Sequence, residues 1–150
     1  MEDKYRQILQ SCDEKGAYEF PQGFNYDTLE RDALGVERSL QEQLQLKTNF
    51  EGAVFNQDAS FSIAIILTGY VEERKDAIYQ PTIRFSNFGR LVTLTWTDML
   101  PESLPDRIRL VLEAHGFHFI PAVALDINYD GVMADDNAFP TWWTRYFDWL

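Results

Sequence analysis

Between residues 60 and 97 three successive segments alternate apolar and polar side chains, a period that only a half-buried β-strand satisfies. In "SFSIAIILTGYV", Phe61, Ile63, Ile65, Leu67 and Val71 share one side, and Ser60, Ser62, Thr68 and Tyr70 the other. In "YQPTIRFS", Tyr79, Ile83 and Phe85 alternate with Gln80, Thr82, Arg84 and Ser86. In "LVTLTWT", Val92, Leu94 and Trp96 alternate with Thr93, Thr95 and Thr97. The connections are short: "VEERKD" reads as a charged hairpin loop, and "SNFG" as a tight turn in which Gly89 is free to take positive φ. Strands so closely joined can pair only as an antiparallel meander. "FEGAVF" just ahead adds a short strand.

Helical spacing brackets this block. Tyr5, Ile8, Leu9 and Cys12 stand at i, i+3, i+4 and i+7 within residues 1–15, with Gly16 as the stop. "FPQGFNY" is a loop, and a second helix starts at Asp27, with Glu30 in capping-box position and a stripe of Leu29, Ala33, Val36, Leu40 and Leu44. Gly35 is a weak point in it. "PESLPDRIRLVLEAHG" has Ser103 and Asp106 at capping-box spacing, Pro105 in the first turn, Gly116 after the end, and a stripe of Leu104, Ile108, Val111 and Leu112. "FHFIPAVALDI" returns to period two, with Phe117, Phe119, Val123, Leu125 and Ile127 opposite His118, Ile120, Ala122, Ala124 and Asp126. In the tail, Phe139, Trp142, Trp143, Tyr146 and Leu150 recur at helical spacing. The order α-α-β-β-β-α-β-α predicts one α+β domain over residues 1–150. Its mainly antiparallel sheet has about four strands, a meander plus one strand after a helix, with helices packed on one face.

Charge narrows the partners. Thirteen Lys and Arg stand against 24 Asp and Glu, a net charge of −11, with no basic run. A phosphate backbone or an anionic membrane surface has nothing to hold; a basic protein partner, a second copy of the chain, and plain solubility are all allowed. Cys12 is the one cysteine, so no intrachain disulfide forms. "MEDKYRQILQ" lacks the apolar core of a signal peptide, and "IAIIL" is too short to span a bilayer, so a cytoplasmic protein is expected.

Four features carry candidate chemistry. "DINYDGVMADDN" places Asp126, Asn128, Asp130 and Gly131 on the opening of a calcium loop, but Asn137 stands where a bidentate carboxylate belongs, and a strand is predicted to run into it. A turn at "NYDG", with Gly131 in the left-handed region, is the plainer reading, and Asp126, Asn128 and Asp130 remain the weaker metal reading. The polar side of the sheet collects Tyr70, Thr82, Arg84, Thr93, Thr95 and His118. Tyr70, Arg84, Thr95 and His118 there could hold an anionic or sugar-like ligand, with Arg84 as anchor and His118 as acid or base; a solvated face is the plainer reading. Cys12 lies on an apolar stripe, and no nucleophile elbow, HExxH, phosphate loop or CxxC occurs, which counts against catalysis; no cofactor is expected. Last, three of the four tryptophans fall in the final nine residues, with Trp149 off the apolar stripe.

The expected function is that of a non-catalytic acidic domain that binds another protein, as an inhibitor or immunity protein masks a basic enzyme. The expected surface is Asp126, Asp130, Asp135 and Asp136 together with Trp149. The alternatives are a small enzyme or ligand binder on the Arg84 and His118 face, and a domain stabilised by calcium in the 126–137 loop.

Overall fold

The computed structural model describes residues 2–148, so Trp149 and Leu150 lie outside the described residues. The elements run α1 (Asp3–Ser11), α2 (Tyr26–Leu44), β1 (Thr48–Glu51), β2 (Phe61–Leu67), β3 (Glu72–Arg74), β4 (Ala77–Tyr79), β5 (Thr82–Ser86), β6 (Leu91–Leu94), α3 (Leu104–Ala114), β7 (His118–Phe119), α4 (Ala122–Leu125) and α5 (Trp142–Phe147), with 3-10 turns at Thr97–Met99 and Ala134–Asp136. The fold is α+β. Its main sheet has five strands in the order β1-β2-β5-β6-β7, and β3 and β4 form a separate hairpin where the charged loop was expected.

The meander is present: β1, β2, β5 and β6 pair antiparallel in sequence order. The last strand departs from the expected pattern. α3 carries the chain back across the sheet, so β7 pairs with β6 in parallel, Leu91 opposite His118 and Val92 opposite Phe119. A parallel neighbour needs such a crossover, and an 11-residue helix supplies it. The sheet is therefore mixed.

One face buries the predicted stripes. Leu29, Ala33, Val36 and Leu40 of α2 and Leu104, Ile108, Val111 and Leu112 of α3 pack on Ile63, Ile65, Leu67, Ile83, Phe85, Val92 and Leu94. Gly35 belongs here: a Cβ on it would stand 3.4 Å from the His115 ring, and His115 Nε2 lies 2.9 Å from Ser39 Oγ. A Cβ here would make ordinary contact with that ring, so the approach of α3 to α2 does not itself require glycine.

The other face corrects the expectation of helices on one side. It buries Leu9 of α1, Phe88, Leu91, Ile120, Leu125 of α4, Tyr129, Met133, Phe139, and Trp142, Tyr146 and Phe147 of α5 in a second core. The sheet is thus sandwiched, and β6 is buried at every residue. A bulge between Phe61 and Ile63 moves Phe61 off the first face, opposite Ser86 and next to Ala64. Tyr70, placed by alternation on the polar side, packs against the first core because β2 has already ended at Leu67. The strand expected over "FHFIPAVALDI" stops at Phe119. Pro121 cannot donate to a ladder and caps the short α4 instead, leaving Val123 80% exposed.

Capping differs too. α2 is capped by Asn25, whose side chain accepts from Thr28 N at 3.0 Å, rather than by Asp27, and Ser103 makes no side-chain cap for α3. Asn25→Ala is expected to cost about 1 kcal/mol in urea denaturation, and Asp27→Ala clearly less, because only its charge near the helix start contributes.

Candidate functional site

The acidic loop is anchored from below by a buried ion pair. Arg145 Nε donates to Asp13 Oδ1 at 2.9 Å across 132 residues of chain, and the two side chains are 0% and 1% exposed. Asp13 Oδ2 accepts from Tyr129 Oη at 2.7 Å and from Val132 N at 3.0 Å. Tyr129 Oη in turn accepts from Met133 N at 3.0 Å. The guanidinium also donates to the carbonyls of Glu14 and Tyr18 and lies over the Phe88 and Phe139 rings. Gly131 is required by this carboxylate. A Cβ there would fall 1.9 Å from Asp13 Oδ2 and 2.5 Å from the Tyr129 ring, so one of these two hydrogen-bonded side chains would have to give way. Its φ is not in the left-handed region, which among the glycines Gly16, Gly23, Gly89 and Gly116 occupy, so close approach and not turn geometry accounts for it.

Above this anchor, Asp126, Asp130, Asp135 and Asp136 are all exposed. Asp130 is paired with Arg6 and accepts from the Trp142 indole at 3.3 Å, and Asp136 accepts from Tyr18 Oη at 3.0 Å. Asn128 bridges to Thr141, and Asn137 takes the left-handed conformation after the 3-10 turn. The helix α4, not a strand, leads into the loop. Among the described residues, no group of three or more His, Cys, Asp or Glu side chains is placed to hold a metal ion. Trp149, the aromatic member of the expected surface, lies outside the described residues.

Arg84 and His118 are not brought together. Arg84 is opposite Thr93 on β6, His118 is on the far side of β6 opposite Leu91, and His118 is exposed. Arg84 donates to the Phe147 carbonyl at 2.6 Å and lies between the Phe61 and Trp143 rings, so α5 covers it. Burial lowers its pKa, while Asp148 and Glu51 oppose that shift. Thr93 is buried against the Ile120 carbonyl, and Thr95 bonds Thr82.

Sequence reasoning missed an open cleft of about 590 Å³ at the carboxyl ends of β6 and β7, the parallel pair. Open sheets offer crevices there because the chain turns away from the strand ends in different directions. Tyr5, Trp96, Phe119, Pro121 and Val123 supply its apolar lining, and Asp98, Glu102, Asp106 and Arg109 its charges. Trp96 leaves β6 in the left-handed region, φ 55°, with its ring edge-on to Tyr79 at 4.8 Å. Arg109 Nη2 stands 3.6 Å from Asp106 Oδ1, and Arg109 Nε is the one buried side-chain polar atom among the described residues without a hydrogen-bond partner. The available signal was "TWTDMLPESLPD", where the alternation breaks at an aromatic followed by acids. No helix among the described residues is long and apolar enough to cross a membrane. Compared with protein-family models, curated proteins and solved structures, the chain matches none.

Two outcomes test the anchor. Asp13→Ala leaves Arg145 buried without its partner and is expected to remove about 3–5 kcal/mol in urea denaturation. Burial, and next the Asp13 carboxylate, push the Tyr129 phenol up to about 12. The neutral phenol is the form the fold favours, so its stabilisation is complete below the unfolded value of about 10 and is lost as pH rises from there through about 12. Tyr129→Phe should therefore cost about 1–3 kcal/mol at neutral pH, and the gap to the unmodified protein should narrow when the same urea curves are recorded at pH ~11.

Proposed function

We propose that the protein is a non-catalytic binding domain that masks a basic protein partner, in the manner of an acidic inhibitor or immunity protein. The observation that carries this reading is where the charge sits. The buried Asp13–Arg145 pair is neutral as a unit, so the surplus of −11 lies outside it. The exposed loop from Asp126 to Asp136 and the cleft with Asp98, Glu102 and Asp106 both carry part of that surplus. A field of one sign steers an oppositely charged partner and repels like-charged ones, which favours fast and selective association. The ion pair beneath the loop and the second core behind it hold this acidic surface in one shape, so little ordering is left to do on binding. Closure of the polar sheet face by α5 leaves Arg84 engaged with the chain itself, which weighs against a ligand site there.

The test is affinity capture from the native host, identification of the captured protein, and a salt series on the purified complex. The expected partner is basic, and its Kd should weaken about ten-fold or more between low salt and ~0.5 M. A neutral or acidic partner, or a complex indifferent to salt, would overturn the reading.

A further inference from the structure

The cleft at the carboxyl ends of β6 and β7 has a lining whose parts ask for one kind of guest. Its apolar surface is held open to water, with Trp96 42% exposed and Val123 80% exposed beside Tyr5 and Phe119. Three carboxylates, Asp98, Glu102 and Asp106, stand around it against one guanidinium, Arg109. The start of α3 would by itself favour an anion. Here Asp106 sits in the first turn of α3, and Glu102 just ahead of it, so that end already has its own negative charge, and the cleft stays negative overall.

The chemistry excludes most guests. An anion would face three carboxylates. A neutral apolar group would cover the rings while stripping water from charges it cannot pair. An ammonium would match the charge but, as a compact and strongly hydrated point, would use little of the aromatic surface. A guanidinium does both: its face stacks on an indole or phenol ring while its edge donates in plane to carboxylates. We infer that the cleft is the pocket for an arginine side chain of the basic partner. The inference rests on the binding role proposed above and adds to it the residue type recognised and the place where it enters. The exposed 126–136 loop, by contrast, already engages two of its carboxylates within the chain, Asp130 with Arg6 and Asp136 with the Tyr18 hydroxyl, and serves as a steering field.

Isotope-labelled protein is titrated at low salt with an acetylated, amidated Gly-Arg-Gly peptide, and in parallel with its lysine and citrulline counterparts, while indole and backbone amide resonances are followed by NMR. The expected result is a saturable shift of the Trp96 indole, assigned by Trp96→Phe, and of the Phe119 amide. The lysine peptide should bind several-fold more weakly and the citrulline peptide at least as poorly. Glu102→Gln and Asp98→Asn, both isosteric changes at exposed positions, should each weaken arginine binding about two- to five-fold, and Trp96→Leu by about the same factor. Shifts confined to residues 126–136, or equal binding of the citrulline peptide at the cleft, would overturn the inference while the salt series on the partner complex still judges the proposed function. Absence of any shift at Trp96 or Phe119 up to millimolar peptide overturns it as well. A salt-insensitive partner complex, with arginine seated at Trp96, would instead overturn the charge-driven role and leave the pocket standing.

Discussion

Asp13 and Arg145 meet out of water, and half of the molecule is arranged around that meeting. Two charges buried together are tolerable only if both are fully paired and their remaining hydrogen-bonding capacity is used. Here it is. Asp13 takes Arg145, Tyr129 and the Val132 amide, while Arg145 adds two backbone carbonyls and the faces of aromatic rings. The exit of α1, the acidic loop and α5 are thereby fixed to one point. A hydrophobic replacement of both ends would keep the volume but lose the direction. The pair specifies which segment lies where, and that placement sets the shape of the acidic surface.

Much of the fold was legible in the sequence. The stripes of α2 and α3 and the inward residues of β2, β5 and β6 are in the first core because amphipathic spacing reports one buried face directly. The second face was not legible. Ser60, Ser62, Thr82, Arg84, Ser86 and Thr93 read as solvated because polarity normally marks solvent. In the structure they are partnered: Ser62 with Asn87, Ser86 with the Ser60 carbonyl, and Thr93 with the Ile120 carbonyl. A sheet face of small polar residues can be covered provided each group finds a bond. The 15% aromatic content was the available hint, since one sheet face could not hide so many rings.

The failure at "FHFIPAVALDI" has a different cause. Period two persists by coincidence through a proline that starts a helical turn, and period carries no information about hydrogen bonding. Gly131 shows the same limit from another side. The sequence suggested a turn, but what requires glycine is a carboxylate 118 positions away in the chain. The acidic loop was legible as acidic. The arrangement of its charges was not, because Arg6 and Tyr18 come from α1 and the loop after it. The cleft was invisible for the same reason, being assembled from Tyr5, the exit of β6, α3 and α4.

The two cores differ in how they are laid along the chain. The first draws its buried residues from Leu29 to Phe117, a contiguous stretch. The second needs Leu9 at one end and Phe147 at the other. During synthesis the first core has all its parts once β7 has emerged, but Asp13 at the exit of α1 has no cation to pair with until Arg145 has been made. Through that interval the part of the sheet's second face that Trp142, Tyr146 and Phe147 cover stays open. The order of translation, and not only the final free energy, therefore makes the nascent chain most exposed to unwanted association just before its last turn of helix appears.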